Sequence, residues 1–212
     1  MSDRRRHALE QLAHDVRNSA ALVSGALSEI RAGLGASAES HEVFLRIAGR
    51  GVKQLLILAD RCAVEGEHVR LGAAAPGSGV DLDAALKTAC DTAQEAFGKK
   101  SLRIDLVPSG EPTKVNGSAR WIAVILTETV LLALKSAAQQ VRVTALTDGD
   151  TATVSVESDG VRPLVDTADS PDAQAFQHVV ATVAAMGGSA TTNAKSFRLL
   201  LTFPLISSME VA

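Results

Sequence analysis

Residues 12–27 read LAHDVRNSAALVSGAL, and their spacing sets the first half of the chain. Leu12, Val16, Val23 and Leu27, extended by Leu9 before them and by Ile30 and Leu34 after, recur in steps of three, four or seven. That period predicts a long amphipathic helix, which Gly33 and Gly35 end. After GASAES (35–40) a second stripe runs through Phe44, Ile47, Gly51, Leu55, Leu58 and Cys62. Two such helices joined by a short turn form an antiparallel hairpin. A lone hairpin cannot cover both stripes, so the expected arrangement is a homodimer closing a four-helix bundle. Packing against the rest of the same chain is the alternative. With Leu9, Leu12 and Val16 turned inward, His14 falls on the outer surface beside Glu10, Arg17 and Asn18.

Composition narrows the function. The 212 residues suffice for two small domains, and a net charge of -3 with no long basic run argues against nucleic acid as a partner; RRRH (4–7) reads as a solvated helix start. Polar residues follow Arg4–Arg6 at once, so no signal peptide is expected. The most apolar run, WIAVILTETVLLAL, is interrupted by Thr127, Glu128 and Thr129 and is too short for a bilayer. Cys62 and Cys90 lack metal-type spacing and read as free thiols of a reducing compartment. A soluble, cytoplasmic protein without a membrane partner is expected.

The organisation expected is a helical hairpin over 1–66, a linker over 67–80, where EHVRLGAAAPGSGV collects Gly, Ala, Pro and Ser, and a second domain over 81–212. In that second domain DLDAALKTACDTAQEAF predicts a helix and SLRIDLV a strand. SARWIAVILTETVLLALKSAA predicts a buried helix, and QVRVTAL and TATVSVES a hairpin about TDGD. PDAQAFQHVVATVAAM predicts a helix, and SATT and FRLLLTF closing strands. The class is α+β, a mixed sheet with helices on one face.

HDVRNS (14–19) resembles the phosphoacceptor box of two-component histidine kinases: His, an acidic residue, any residue, Arg or Lys, Asn, then Pro, Ser or Thr. The element order of the second half resembles the Bergerat-type ATPase domain, an α/β sandwich, that follows this hairpin in those proteins. The resemblance implies that His14 is the phosphoacceptor and nucleophile, through a neutral imidazole nitrogen whose ordinary pKa of about 6.5 leaves it available near neutral pH. It implies that Asp15 holds the other ring nitrogen, that Asn18 orients a water or an incoming acyl phosphate, and that Arg17 attracts phosphoryl oxygens. Asp15 and Arg17 also fit plain surface charges. Ala21 and Gly25, on the histidine's own face, leave a low surface where a partner helix could dock.

The nucleotide boxes depart from that pattern. In ETVLLALK, Ala133 and Lys135 keep their places, but Leu132 stands where the magnesium-holding asparagine is expected, and leucine offers a hard cation no oxygen. Glu128 reads as a helix-surface or polar-network residue rather than a general base. In VESDGVRP, Ser158 takes the place of the adenine-contacting aspartate, Gly160 remains, and Arg162–Pro163 replaces the second glycine. No second glycine box lies between Thr167 and Phe176. A phosphoacceptor box beside a degenerate ATPase domain resembles the histidine phosphotransferases of the ChpT type and the related sporulation phosphotransferases. This implies a phosphorelay carrier without a nucleotide or metal of its own, magnesium sitting on the partner receiver. Its partners would be response-regulator receiver domains, a hybrid histidine kinase among the candidates. A divergent active kinase and a non-catalytic pseudokinase are the competing readings.

Overall fold

The computed structural model describes residues 13–14, 16–18, 20–21, 23–25, 27–28, 30–33, 38–71, 79–98, 101–160, 171–193 and 197–206. The chain divides into two compact units, Met1–Arg70 with Glu95–Gly98, and Leu71–Gln94 with Lys99–Ala212.

In the first unit every described position between 13 and 33 is helical and forms α1; α2 is the long helix Ala38–Leu71. Arg31 meets Glu42 at 2.8 Å near the turn and Arg17 meets Asp60 at 2.7 Å farther along, so the two helices run antiparallel. Ala13 and Ala20 on α1 are buried, as are Leu45, Val52 and Ala59, seven apart on α2. Among the described residues the buried positions of α1 are thus alanines, whose small side chains let two helices approach closely. Larger apolar side chains of the expected stripes lie elsewhere: Val23, Ile30, Ile47, Leu55 and Leu58, with Val43, are each about half exposed, between 46% and 52%. The expected boundary at 66 falls inside α2, which continues to Leu71 because Glu67–Leu71 contain neither Gly nor Pro. Of the expected linker, 72–78 lie outside the described residues and Val80 already belongs to a strand.

The second unit follows the expected order with one addition. β1 (Val80–Asp81) leads into α3 (Leu82–Phe97), whose Leu82, Leu86, Ala89 and Ala93 are buried at helical spacing. The chain continues through β2 (Arg103–Val107), β3 (Lys114–Val115), α4 (Ala119–Ser136), β4 (Gln140–Asp148) and β5 (Thr151–Ser158). It closes with α5 (Pro171–Ala185), β6 (Ser189–Thr192) and β7 (Arg198–Pro204). The five-stranded sheet has the order β2-β4-β5-β7-β6; β2 and β4 are parallel and the other neighbours antiparallel. The two-residue strands β1 and β3 pair as a separate ribbon that the sequence reading did not foresee.

Alternation along the strands decides the layers. Val141, Val143 and Ala145 of β4, Ala152, Val154 and Val156 of β5, and Leu199, Leu201 and Phe203 of β7 are buried on one face, against which α4 and α5 pack. α4 is buried along most of its length, from Trp121 and Ile122 to Ala133 and Leu134. On the opposite face the register aligns Asp105, Arg142, Glu157 and Arg198 across four strands. Their alternating charges form ion pairs Asp105–Arg142 at 3.3 Å and Glu157–Arg198 at 3.0 Å, a cross-strand pattern that suits a solvated sheet surface. Among the described residues no helix is long and apolar enough to cross a membrane.

Candidate functional site

His14 sits on the exposed side of α1, one residue from buried Ala13. Asn18, one turn on, brings its amide nitrogen to 3.2 Å from His14 Nδ1 and 3.5 Å from Nε2. The i, i+4 spacing of a helix produces this contact. In the orientation observed the amide N–H donates to bare Nδ1. After a half-turn about its last torsion, Oδ1 accepts the Nδ1–H proton instead. Asn18 therefore addresses the ring nitrogen that sets the tautomer. Asp15, to which that task was assigned, lies outside the described residues.

Arg17 is committed elsewhere. Its Nε and a terminal nitrogen both donate to Asp60 Oδ1, at 3.1 and 2.7 Å, across the hairpin. Asp60 competes directly with a phosphoryl group for that guanidinium. Asp60 was absent from the sequence reading because its role depends on a contact 43 residues away. Ala21 and Gly25 are exposed, seven and eleven residues beyond His14, which returns them to within about 20° of its direction at 100° per residue. A Cβ placed on Gly25 meets nothing within 4 Å. The structure thus shows a low, open strip on the face that carries the histidine.

The second unit holds the departures from the nucleotide-binding pattern. Leu132 is 3% exposed and Glu128 6%, both packed inside the domain. Glu128 Oε2 lies 2.8 Å from His178 Nδ1 on α5, a pair with both side chains more than nine-tenths buried; with Glu128 ionised, Nδ1–H is the donor. Lys135 donates to Asp172 Oδ1 at the start of α5. Glu128 and Lys135 of α4 are thus each paired with a residue of α5. Two hollows on this unit, one lined by Gln140, Arg142 and Ser158 and the other by Lys87 and Cys90, lie away from Leu132.

The end of β5 is likewise turned to structure. Asp159 accepts the backbone N–H of Ala138 at 2.8 Å and of Gln139 at 3.0 Å, closing the turn after α4. Hydrogen bonds from the Gln139 and Gln140 backbone lead the causes that hold its carboxyl below the ordinary aspartate value. Gly160 packs so tightly that a Cβ there would stand 1.6 Å from the Ser136 carbonyl oxygen, so only glycine fits. Ser158 is held by its own backbone N–H, which donates to Phe197 O at 3.1 Å, and its Oγ accepts the Gly160 N–H at 3.4 Å. Arg162, Pro163 and Thr167 lie outside the described residues.

No family model and no curated protein sequence matches the chain. Solved structures do. Full-length ShkA in complex with AMPPNP is similar with a TM-score of 0.60 at 18% identity over 95% of this chain. The histidine kinase AdeS of Acinetobacter baumannii gives 0.54 at 17% identity, covering 93% of this chain and 99% of that one. A histidine kinase from Burkholderia phymatum gives 0.55 at 13%, covering 92% and 98%. The fold is that of a histidine kinase. At these identities the likeness is one of fold, and this chain spans 46% of the ShkA chain. Within that fold, His14 lies on the exposed face of the first helix, and Glu128, Leu132 and Ser158 lie in the sheet-bearing unit. His178, Asp172 and Asp159 were not singled out from sequence. The available signal was Glu128 itself, an acid within an apolar helix that must find a buried partner.

Proposed function

We propose that the chain is a histidine phosphotransferase of a two-component phosphorelay. It takes a phosphoryl group from the aspartate of one receiver domain onto His14 and passes it to another, without binding ATP. The observation that carries this reading is the contrast between an exposed His14 with Asn18 at its ring nitrogen and a buried Leu132 and Glu128, the latter paired with His178.

The transfer balances without a redox partner. The Nε2 lone pair attacks phosphorus, a P–N bond forms, the P–O bond to the receiver's aspartate breaks, and the carboxylate leaves with the electron pair. With its amide turned so that Oδ1 accepts Nδ1–H, Asn18 steadies the imidazolium as charge develops on the ring. Transfer onward is the same step reversed on the second receiver. Magnesium belongs to the receiver, where it offsets the charge of the phosphoryl oxygens.

A homodimer is part of the proposal. Half-exposed Val23, Ile30, Ile47, Leu55 and Leu58 along both helices form an apolar stripe longer than a solvated helix ordinarily carries, and a second hairpin covers it. The receiver docks over Ala21 and Gly25. Ala21→Arg and Gly25→Arg are each expected to slow transfer from a phosphorylated receiver about tenfold. Because both sites are open, stability should shift by less than about 0.5 kcal/mol. Stopped-flow transfer rates and thermal melts check both halves of that expectation.

The experiment for the nucleotide half of the proposal is calorimetric titration of the purified chain with ATP, with and without magnesium. No heat of binding is expected up to millimolar nucleotide. Magnesium-dependent binding at micromolar ATP would favour the divergent-kinase reading.

A further inference from the structure

The strand order leaves β2 at one edge of the sheet. Arg103 N–H donates to Gln139 O at 3.0 Å, toward β4, so by strand alternation the N–H and C=O groups of Ile104 and Leu106 point away from the sheet. Among the described residues those groups meet no main-chain partner. Beside them lies a groove of about 420 Å³ between α3 and β2, walled by Lys87, Cys90 and Asp91 on one side and by Arg103, Ile104 and Leu106 on the other.

The groove floor is apolar. Burial, aided by the neighbouring Asp91 charge, pushes the Cys90 thiol up to about 11, so it stays protonated and serves as packing surface rather than nucleophile. Ile104 and Leu106 stand half-buried above it, on the face where β4, β5 and β7 are fully covered. At the rim, Lys87 and Arg103 make no ion pair among the described residues, against the one carboxylate of Asp91. The opposite edge, β6, presents Ser189, Thr191 and Thr192 instead, a small polar surface.

We propose that this groove receives an extended, acidic segment of a partner protein. The segment pairs with β2 as a sixth strand and seats alternate aliphatic side chains against Cys90, Ile104 and Leu106. An added strand supplies the hydrogen bonds that the edge lacks, and its same-face side chains recur about every 7 Å, matching Ile104 and Leu106. The excess of cations selects an acidic segment over a basic one and disfavours a second copy of the same positively rimmed edge. The inference is independent of His14.

The test uses the full chain and an acetylated, amidated hexapeptide alternating Glu and Val, with a Lys–Val hexapeptide as its control. At saturation the acidic peptide should slow amide hydrogen exchange at Ile104 and Leu106. The double variant Lys87→Glu/Arg103→Glu, checked for an unchanged melt, should weaken binding about tenfold, or about 1.4 kcal/mol. N-methylation of alternate peptide bonds should abolish protection. The proposal is overturned by unprotected Ile104 and Leu106 amides, or by equal binding of the Lys–Val peptide. Displacement by glutarate, as at a small-anion site, or protection that rises with protein concentration alone would overturn it as well.

Discussion

His14→Gln is expected to eliminate receiver-dependent labelling, by about a thousandfold or more, the scale on which an essential nucleophile is lost. Glutamine keeps a polar side chain of similar length at an exposed helical position but has no nitrogen lone pair with which to attack phosphorus. Because position 14 faces outward while Ala13 packs inward, stability and helicity should stay within about 0.5 kcal/mol of the parent. Phosphohistidine detection under alkaline conditions, paired with a thermal melt, separates the chemical effect from unfolding. A variant that fails to fold would make His14 a structural residue. Retained labelling would place the phosphoacceptor on another side chain. Asn18→Ala tests the positioning role beside it: transfer should slow while the labelled residue stays His14, since the amide orients the ring and does not bond to phosphorus.

The second large effect is on assembly. Leu55 and Leu58 are 46% and 50% exposed in the single chain, and Ile47, two turns before Leu55, is 52% exposed. If a second hairpin covers them, Leu55→Glu together with Leu58→Glu buries two unpaired charges per protomer, at a cost of several kcal/mol each. Micromolar protein should change from dimer to monomer in sedimentation. Leu45, Val52 and Ala59 stay buried within the hairpin, so its helicity should largely survive. A wild type that sediments as a monomer at that concentration would reject the bundle. Loss of helicity in the variant with no change of mass would mean that the stripe packs within its own chain.

The long elements were legible because their periods are long. α2, α3 and α4 each repeat apolar residues over several turns, and β4, β5 and β7 alternate through seven or more residues. β1 and β3 span two residues each, too few for an alternation to register. Periodicity also could not apportion the N-terminal stripes. It grouped Val23 and Ile30 with the inward residues, whereas among the described residues α1 buries Ala13 and Ala20 and leaves Val23 and Ile30 half exposed. The site divides similarly. The His14–Asn18 contact follows from helical spacing alone, but the Arg17–Asp60 and Glu128–His178 partners are separated by 43 and 50 residues and arise only from tertiary packing. Leu132 departs in sequence from the family pattern that the chain resembles; the Glu128–His178 pair depends on α5 packing against α4.

The most direct measurement offers the wild-type chain two phosphoryl donors in parallel, a receiver domain phosphorylated on aspartate and magnesium ATP, and maps the phosphorylated residue by mass spectrometry under conditions that preserve phosphohistidine. The account predicts rapid labelling at His14 from the receiver and none from ATP. Labelling from ATP, or a receiver that leaves His14 unmodified, would contradict it.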